Sequence, residues 1–206
     1  GRHTVTNIQT IEQFRKAVTV VRQISMFISM EEHLDGDVCR ATFVGGKLMG
    51  FYRGGSPYVI GDGKKTILEL IKEKDSHRQD RVEKIDINDE VKDYLSRSGF
   101  HLEDILSEGV RLSLTYRTGR LFGGVTREML DELHPSFVPI LTEAAKIVGL
   151  PVLGFDCIVK DPTQDALTQR WGIIECNTLP FIDLHYYALE GKPKNIAGAI
   201  WDFWKK

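Results

Sequence analysis

Asp156, Glu175 and Asn177 carry the side chains with the clearest chemical potential in this sequence. The stretch WGIIECNTLPFIDLH (171–185) opens as a buried apolar strand at Ile173 and Ile174, yet Glu175 and Asn177 follow inside it. Side chains alternate faces along a strand, so Glu175 and Asn177 project together, with Ile173 beside them. If 152–159 pairs antiparallel with 171–177, Asp156 joins that face. Two carboxylates and one amide oxygen then converge. Hard divalent cations such as Mg²⁺ take oxygen donors of this sort, with water and phosphate oxygens completing the shell. The same pattern has a structural outcome too, in which Glu175 pairs with an arginine and Asn177 caps the turn before Pro180. Cys176 points to the opposite face and is the wrong ligand type for magnesium, which assigns it to the core.

Two arginines form a second candidate group. VCRATFV and KLMGFYR flank Gly45-Gly46, a two-residue link whose positions can both take φ > 0, so a hairpin is expected. With that turn, Val44 faces Lys47, Arg40 lies opposite Phe51 and Arg53 opposite Val38, which puts both guanidiniums on one face as diagonal partners. Adjacent guanidiniums repel unless an anion sits near them. A phosphate-bearing substrate is one such anion, because the planar fork suits phosphate oxygens. Salt bridges to Asp37 or Asp62 are the alternative. His185 follows the candidate metal strand and either contacts substrate or is a polar loop residue.

The elements that must position these groups are legible in outline. Ile8, Ile11, Phe14, Val18 and Val21 recur at helical spacing, predicting an amphipathic helix over 8–23. ISMFISM (24–30) reads as a short buried strand. Thr66 and Glu69 have capping-box spacing and start a helix near Ile67. A further helix over 89–97 ends at Gly99 as a left-handed cap. Residues 100–127 read as short strands and loops. SFVPILTEAAKIV is helical, with Pro139 tolerated in the first turn. PVLGFDCIV and WGIIECN are strands joined by a polar loop, and a last helix opens at Asn195 with Trp201 and Trp204 assigned to the core. This order predicts an α/β (α+β) fold with a mixed, largely antiparallel sheet and flanking helices.

Composition narrows the function classes. The 206 residues suffice for one large domain or two small ones. A net charge of −2 supplies no field for a polyanion, so no nucleic-acid partner is expected. Cys39, Cys157 and Cys176 lack zinc or redox spacing and read as reduced core thiols of a cytoplasmic protein. No apolar run approaches the ~20 residues of a membrane span, and the amphipathic first twenty residues do not read as a signal peptide. No membrane association is expected.

Beyond these readings, GFDCIV, WGIIECNTLPFIDLH and GKPKNIAGAIWDF together resemble the carboxy-terminal end of the ATP-grasp ligases, most nearly the cyanophycin-synthetase-like and glutathione-synthesising members. Residues 31–75 resemble the same family independently: an acidic hinge, a glycine, an arginine-bearing strand, the Gly-Gly hairpin, a second arginine and then VIGDGKKTILELI. The resemblance implies an ATP-grasp fold with the amino-terminal portion missing. It divides the chain into 1–34, the remnant of the first subdomain (helix and strand to the hinge), and 35–206, the carboxy-terminal subdomain with the metal and phosphate sites. It implies ATP and Mg²⁺ (or Mn²⁺) as cofactors, with Asp156, Glu175 and Asn177 as metal ligands. Glu31, with the backbone around Glu32 to Leu34, would meet the adenine. Arg53 would contact phosphate, and Arg40 matches a family position of less defined role. Arg117 and Arg120, beside the glycine-rich segment 117–124, would hold a tetrahedral oxyanion or an acceptor carboxylate, and His185 would contact substrate.

Three departures accompany the resemblance. Of the family's amino-terminal half, only GRHTVTNI precedes the first helix. Val38 stands where an acidic residue for the ribose is expected, and Asp37 beside it should face the other way. The segment TGRLFGGVT lacks the asparagine of its family counterpart. The expected function is thus that of an ATP-dependent carboxylate–amine ligase acting through an acyl phosphate on an amino-acid or peptide substrate, here as a truncated ATP-binding domain. The alternatives are a catalytically inactive ATP-grasp nucleotide-binding or scaffolding module and a plain α/β interaction domain. Self-association into a homo-oligomer stays open.

Overall fold

The computed structural model describes residues 5–205, so Gly1–Thr4 of the GRHTVTNI segment lie outside the described residues. The chain divides into two compact units, Gly1–Leu34 and Asp35–Lys206.

In the first unit, α1 (Ile11–Arg22) starts three residues later than its apolar spacing predicts. Thr10 fixes the start: its hydroxyl accepts from the Gln13 backbone N–H while the Gln13 side chain accepts from the Thr10 N–H, a full capping box. Residues 24–30 form no strand, contrary to expectation. The unit offers no strand among its described residues for them to pair with, and Met26 and Phe27 are 88% and 89% exposed. An apolar run is a strand only when a neighbour satisfies its backbone groups.

The second unit is built on the predicted hairpin. β1 (Asp37–Val44) and β2 (Lys47–Gly54) meet at Gly45 and Gly46, whose φ angles of 55° and 75° are left-handed. Next come β3 (Tyr58–Ile60), α2 (Ile67–Ser76), α3 (Asp89–Arg97), β4 (Arg111–Ser113), β5 (Thr126–Glu128), α4 (Phe137–Val148) and β6 (Val152–Val159). β7 (Gly172–Asn177), α5 (Asp183–Tyr186), β8 (Glu190–Gly191) and α6 (Ile196–Trp204) complete the unit. The main sheet runs β7-β6-β1-β2-β5-β8, antiparallel except at β5–β8, and β3 pairs with β4 separately. Thr66 and Glu69 cap α2 as expected, and Gly99 (φ 81°) follows α3.

Two apolar clusters hold this unit. One face of the sheet, with Cys39, Ala41, Phe43, Phe51, Leu153, Phe155 and Cys157, packs on Phe137, Leu141 and Ala145 of α4. Ile67, Leu70 and Ile71 of α2 and Val91 and Leu95 of α3 cluster with Val59 of β3 and Leu112 of β4. Removing a fully buried side chain such as Phe137 or Leu95 costs about 2–5 kcal/mol. The sheet face opposite the first cluster therefore carries the remaining alternate residues, and the candidate site lies there.

Register decides which arginine reaches that face. The β1–β2 pairing shifts between Thr42 and Phe43, where Met49 is the additional residue of β2. A bulge of one residue turns the subsequent side chains over. Arg40 consequently lies opposite Tyr52, and Arg53 opposite Cys39. The two guanidiniums are on opposite faces, not diagonal neighbours.

Three core assignments are also corrected. β7 is the outer strand, and Ile173, Ile174 and Cys176 are exposed there. Trp201 and Trp204 are exposed on α6, whose buried residue is Ile196. Apolar identity alone does not distinguish a covered strand from an edge.

Candidate functional site

β6 and β7 bring the three oxygen-bearing side chains to one face. Asp156 is opposite Glu175 and Gly154 is opposite Asn177, with the irregularity in β7 falling beyond them, between Asp156 and Cys157. The Asn177 Nδ2 donates to Asp156 Oδ2 at 3.3 Å. Arg40, across β1, donates through Nε to Asp156 Oδ1 and through Nη2 to Oδ2 (2.9 Å), a two-pronged ion pair. Its side chains are 12% and 15% exposed, so neither charge could be left alone without a large desolvation cost. Gly154 makes room for this arrangement. A Cβ there would sit 3.0 Å from Arg40 Cδ and 2.8 Å from Pro180 Cβ.

One nitrogen and one carboxylate of this group remain unspent. Arg40 Nη1 is buried with no hydrogen-bond partner among the described residues. Glu175 is exposed and makes no hydrogen bond or ion pair among the described residues. A donor without an acceptor and a carboxylate without a cation, on one face, fit a phosphate oxygen and a divalent metal respectively. Among the described residues no group of three His, Cys, Asp or Glu side chains could hold a metal. The donor set is two carboxylates plus an amide, all oxygen, which suits Mg²⁺ and leaves positions for water and phosphate.

Arg53 has a different setting. It donates to Asp37 Oδ2 from Nε at 2.8 Å, with Nη2 2.7 Å from the same oxygen, and contacts the Lys160 carbonyl at 3.4 Å. Asp62, the other candidate partner, instead closes its own turn. It accepts from the backbone N–H groups of Lys64 and Lys65, which hold its carboxyl below the usual range. Arg117 is tied to Glu90 of α3 at 2.8 and 2.9 Å. Arg120 reaches Asp183 of α5 at 3.3 Å. That pair lines a cavity of about 340 Å³ whose walls include Tyr52, Leu121, Phe181 and Leu184. Tyr52 is the cross-strand neighbour of Arg40, so the cavity adjoins the ion pair on the same sheet face, and burial pushes the Tyr52 hydroxyl up.

His185 is fully buried, at 0% exposure, and both ring nitrogens are engaged: Nδ1 with Glu128 Oε2 at 2.6 Å and Nε2 with Thr42 Oγ1 at 2.7 Å. Neither nitrogen is open to a substrate, which overturns both expectations for this residue. It is a strut from α5 to β1 and β5. Glu128, absent from the sequence-based candidates, also accepts the backbone N–H groups of Phe51 (2.9 Å) and Leu130 (3.1 Å). No local pattern announces it, because Phe51 of β2 and His185 of α5 are distant in sequence and only Leu130 is near.

The chain is 29% identical over 208 aligned residues to a cyanophycin synthetase of Trichormus variabilis, covering 98% of this chain and 23% of that protein. It is 26% identical over 197 residues to the glutathione biosynthesis bifunctional protein GshAB of Clostridium perfringens, covering 93% of this chain and 25% of that one. A crystal structure of a bifunctional glutathione synthetase from Pasteurella multocida superposes with a TM-score of 0.66 at 25% identity, covering 96% of this chain and 28% of that chain. Its homologues are ATP-grasp ligases. No family model matches the chain.

The chain thus spans about a quarter of the length of these ATP-grasp relatives. Within the ATP-grasp fold observed here, Asp156, Glu175, Asn177 and Arg40 come together. Arg120 lines the neighbouring cavity, whereas Arg53 and Arg117 are held elsewhere in ion pairs. Glu31, Glu32 and Leu34 belong to the first unit, where Glu31 accepts from the Ser29 hydroxyl at 3.2 Å. Val38, at the position where the resemblance implies a ribose-binding acid, lines the cavity, and Asp37 is occupied by Arg53.

Proposed function

We propose that the chain supplies the metal- and phosphate-binding part of an ATP-dependent carboxylate–amine ligase. In this reading Asp35–Lys206 is the carboxy-terminal ATP-grasp subdomain, and Gly1–Leu34 carries α1 and the hinge whose Glu31, Glu32 and Leu34 meet the adenine. Asp156, Glu175 and Asn177 hold Mg²⁺ or Mn²⁺. The observation that carries the reading is the convergence of these three on one face beside Arg40, whose buried Nη1 lacks an acceptor.

The ligase reaction has two steps. The γ-phosphoryl of ATP passes to a carboxylate oxygen, giving ADP and an acyl phosphate. An amine nitrogen then attacks the acyl carbon, the carbon–oxygen bond to phosphate breaks, and an amide, phosphate and a proton are released. The bound cation supplies neutralisation of the charge that develops on the phosphates. Arg40 fixes Asp156 and offers Nη1 to a phosphate oxygen, a preorganised donor in a water-poor setting. Arg120 orients the substrate carboxylate. No enzyme nucleophile is needed. The substrate is a small amino acid or peptide, of which the cavity takes one amino-acid unit, and the free thiols of Cys39 and Cys157 suit the cytoplasm.

A second reading, a nucleotide-binding module without ligase activity, is favoured by one observation. Both Asp156 oxygens are already engaged by Arg40 and Asn177. Calorimetric titration of ATP with and without Mg²⁺ tests the shared core of both readings. Mg²⁺-dependent binding that weakens at least tenfold in Asp156→Ala and Glu175→Ala is expected, and metal-independent or absent binding would contradict it. Phosphate release over a panel of amino acids and peptides then separates ligase from silent module.

A further inference from the structure

The cavity beside Tyr52 contains two opposite charges in a mostly apolar, half-open cleft that also includes Thr118. Arg120 and Asp183 face each other through a single 3.3 Å contact and are 26% and 42% exposed. A guanidinium has five N–H donors, and this one spends one of them on a side chain. The carboxylate oxygen Asp183 Oδ1 makes no hydrogen bond or ion pair among the described residues. The pair therefore presents spare donors and a spare acceptor side by side. An α-amino acid in its zwitterionic form is the complement, with its carboxylate on Arg120 and its ammonium on Asp183.

The rest of the enclosure decides the side chain. Val38, Leu121, Phe122 and Phe181 are apolar, and no third charged residue lines the space. A ligand carboxylate or guanidinium turned toward them would find no opposite charge to pair with, whereas an apolar side chain would cover the exposed faces of Leu121 and Phe181. A volume of about 340 Å³ lies at the low end of the ~300–1,000 Å³ range of small-ligand pockets, enough for one amino acid rather than an extended peptide.

We propose that this cavity binds a single L-amino acid with an apolar side chain, held by Arg120 and Asp183. The proposal rests on the ligase reading for its purpose, since it names the class of amino-acid substrate, but the binding itself does not require ATP. Tyr52, shared between the cavity wall and the register position opposite Arg40, places this amino acid next to the proposed phosphate site.

The test is calorimetry of L-leucine, L-aspartate, L-arginine, 4-methylpentanoate and 3-methylbutylamine against the 206-residue chain, with and without Mg²⁺ and ATP. L-Leucine is expected to bind saturably. Each of the other four should bind at least tenfold more weakly, and Arg120→Gln and Asp183→Asn should each weaken leucine at least tenfold. Circular dichroism checks that both variants are folded, and the two truncated analogues decide the case if either is not. Aspartate or arginine binding as tightly as leucine, leucine binding unchanged in both folded variants, or no saturable leucine binding in either condition overturns the proposal. If Mg²⁺-dependent ATP binding survives while leucine fails, this inference falls and the ligase reading stands. If leucine binds and ATP does not, the ligase reading falls alone.

Discussion

Asp156 and Glu175 stand opposite each other across β6 and β7, yet only Asp156 carries a counter-ion. The asymmetry separates two roles in one site. Asp156 is locked into the fold by Arg40, so its loss disturbs structure and chemistry together. Glu175 is exposed and without a partner among the described residues, so its loss is read in chemistry alone.

Arg40→Ala is the structural half of that contrast. It leaves a largely buried carboxylate with only Asn177 beside it, and breaking such a pair costs about 3 kcal/mol. Glu175→Gln should change stability by less than about 0.5 kcal/mol. Urea denaturation of the two variants measures the difference, and equal losses would contradict it.

Gly50→Ala should also be destabilising. A Cβ at Gly50 would enter the His185 ring, which is clamped between Glu128 and Thr42 and cannot yield. Overpacking of this kind costs about 1–3 kcal/mol. His185→Ala relieves the clash but strands Glu128 and Thr42, so the double variant should be less destabilised than the sum of the two single variants. Additive losses would show that the ring is not the obstacle.

How far the sequence revealed this arrangement depended on the range of the signal. The Thr66–Glu69 capping box, the Gly45-Gly46 turn and the shared face of Glu175 and Asn177 are local patterns, and the fold uses all three as expected. The shift at Met49 is not local. It is defined by the pairing of β2 with β1, and it moves Arg53 to the far face. The exposure of β7 is hidden for the same reason, because Ile173 and Ile174 have the composition of a covered strand and the location of an edge. His185 looked available only because Glu128 and Thr42 are 57 and 143 residues away in sequence.

The cysteines give a pH dependence whose sign is fixed by burial. Burial, aided by the Asp156 carboxylate, pushes the Cys157 thiol up to about 12, and burial raises Cys39 well above its ordinary value. In the unfolded chain both ionise near pH ~8.5. Stability is thus fully present below that pH and falls as pH rises toward 12, by up to about 1.4 kcal/mol per pH unit per thiol. Denaturation midpoints at pH 8 and 10.5 should show the loss, and Cys157→Ala should reduce its slope. With a thiol reagent at pH 8, Cys176 alone should react in the folded protein. Rapid labelling of all three would contradict the burial of the other two.

The central claim is that Asp156, Glu175 and Asn177 hold one divalent cation together with nucleotide phosphates. Electron paramagnetic resonance of Mn²⁺ measures this directly, because the free ion's signal diminishes as it binds. Titrating the chain into Mn²⁺ and ATP should give a saturable loss of signal, weakened at least tenfold in the folded Glu175→Gln variant. Equal Mn²⁺ affinity in the wild-type and Glu175→Gln chains would contradict the assignment.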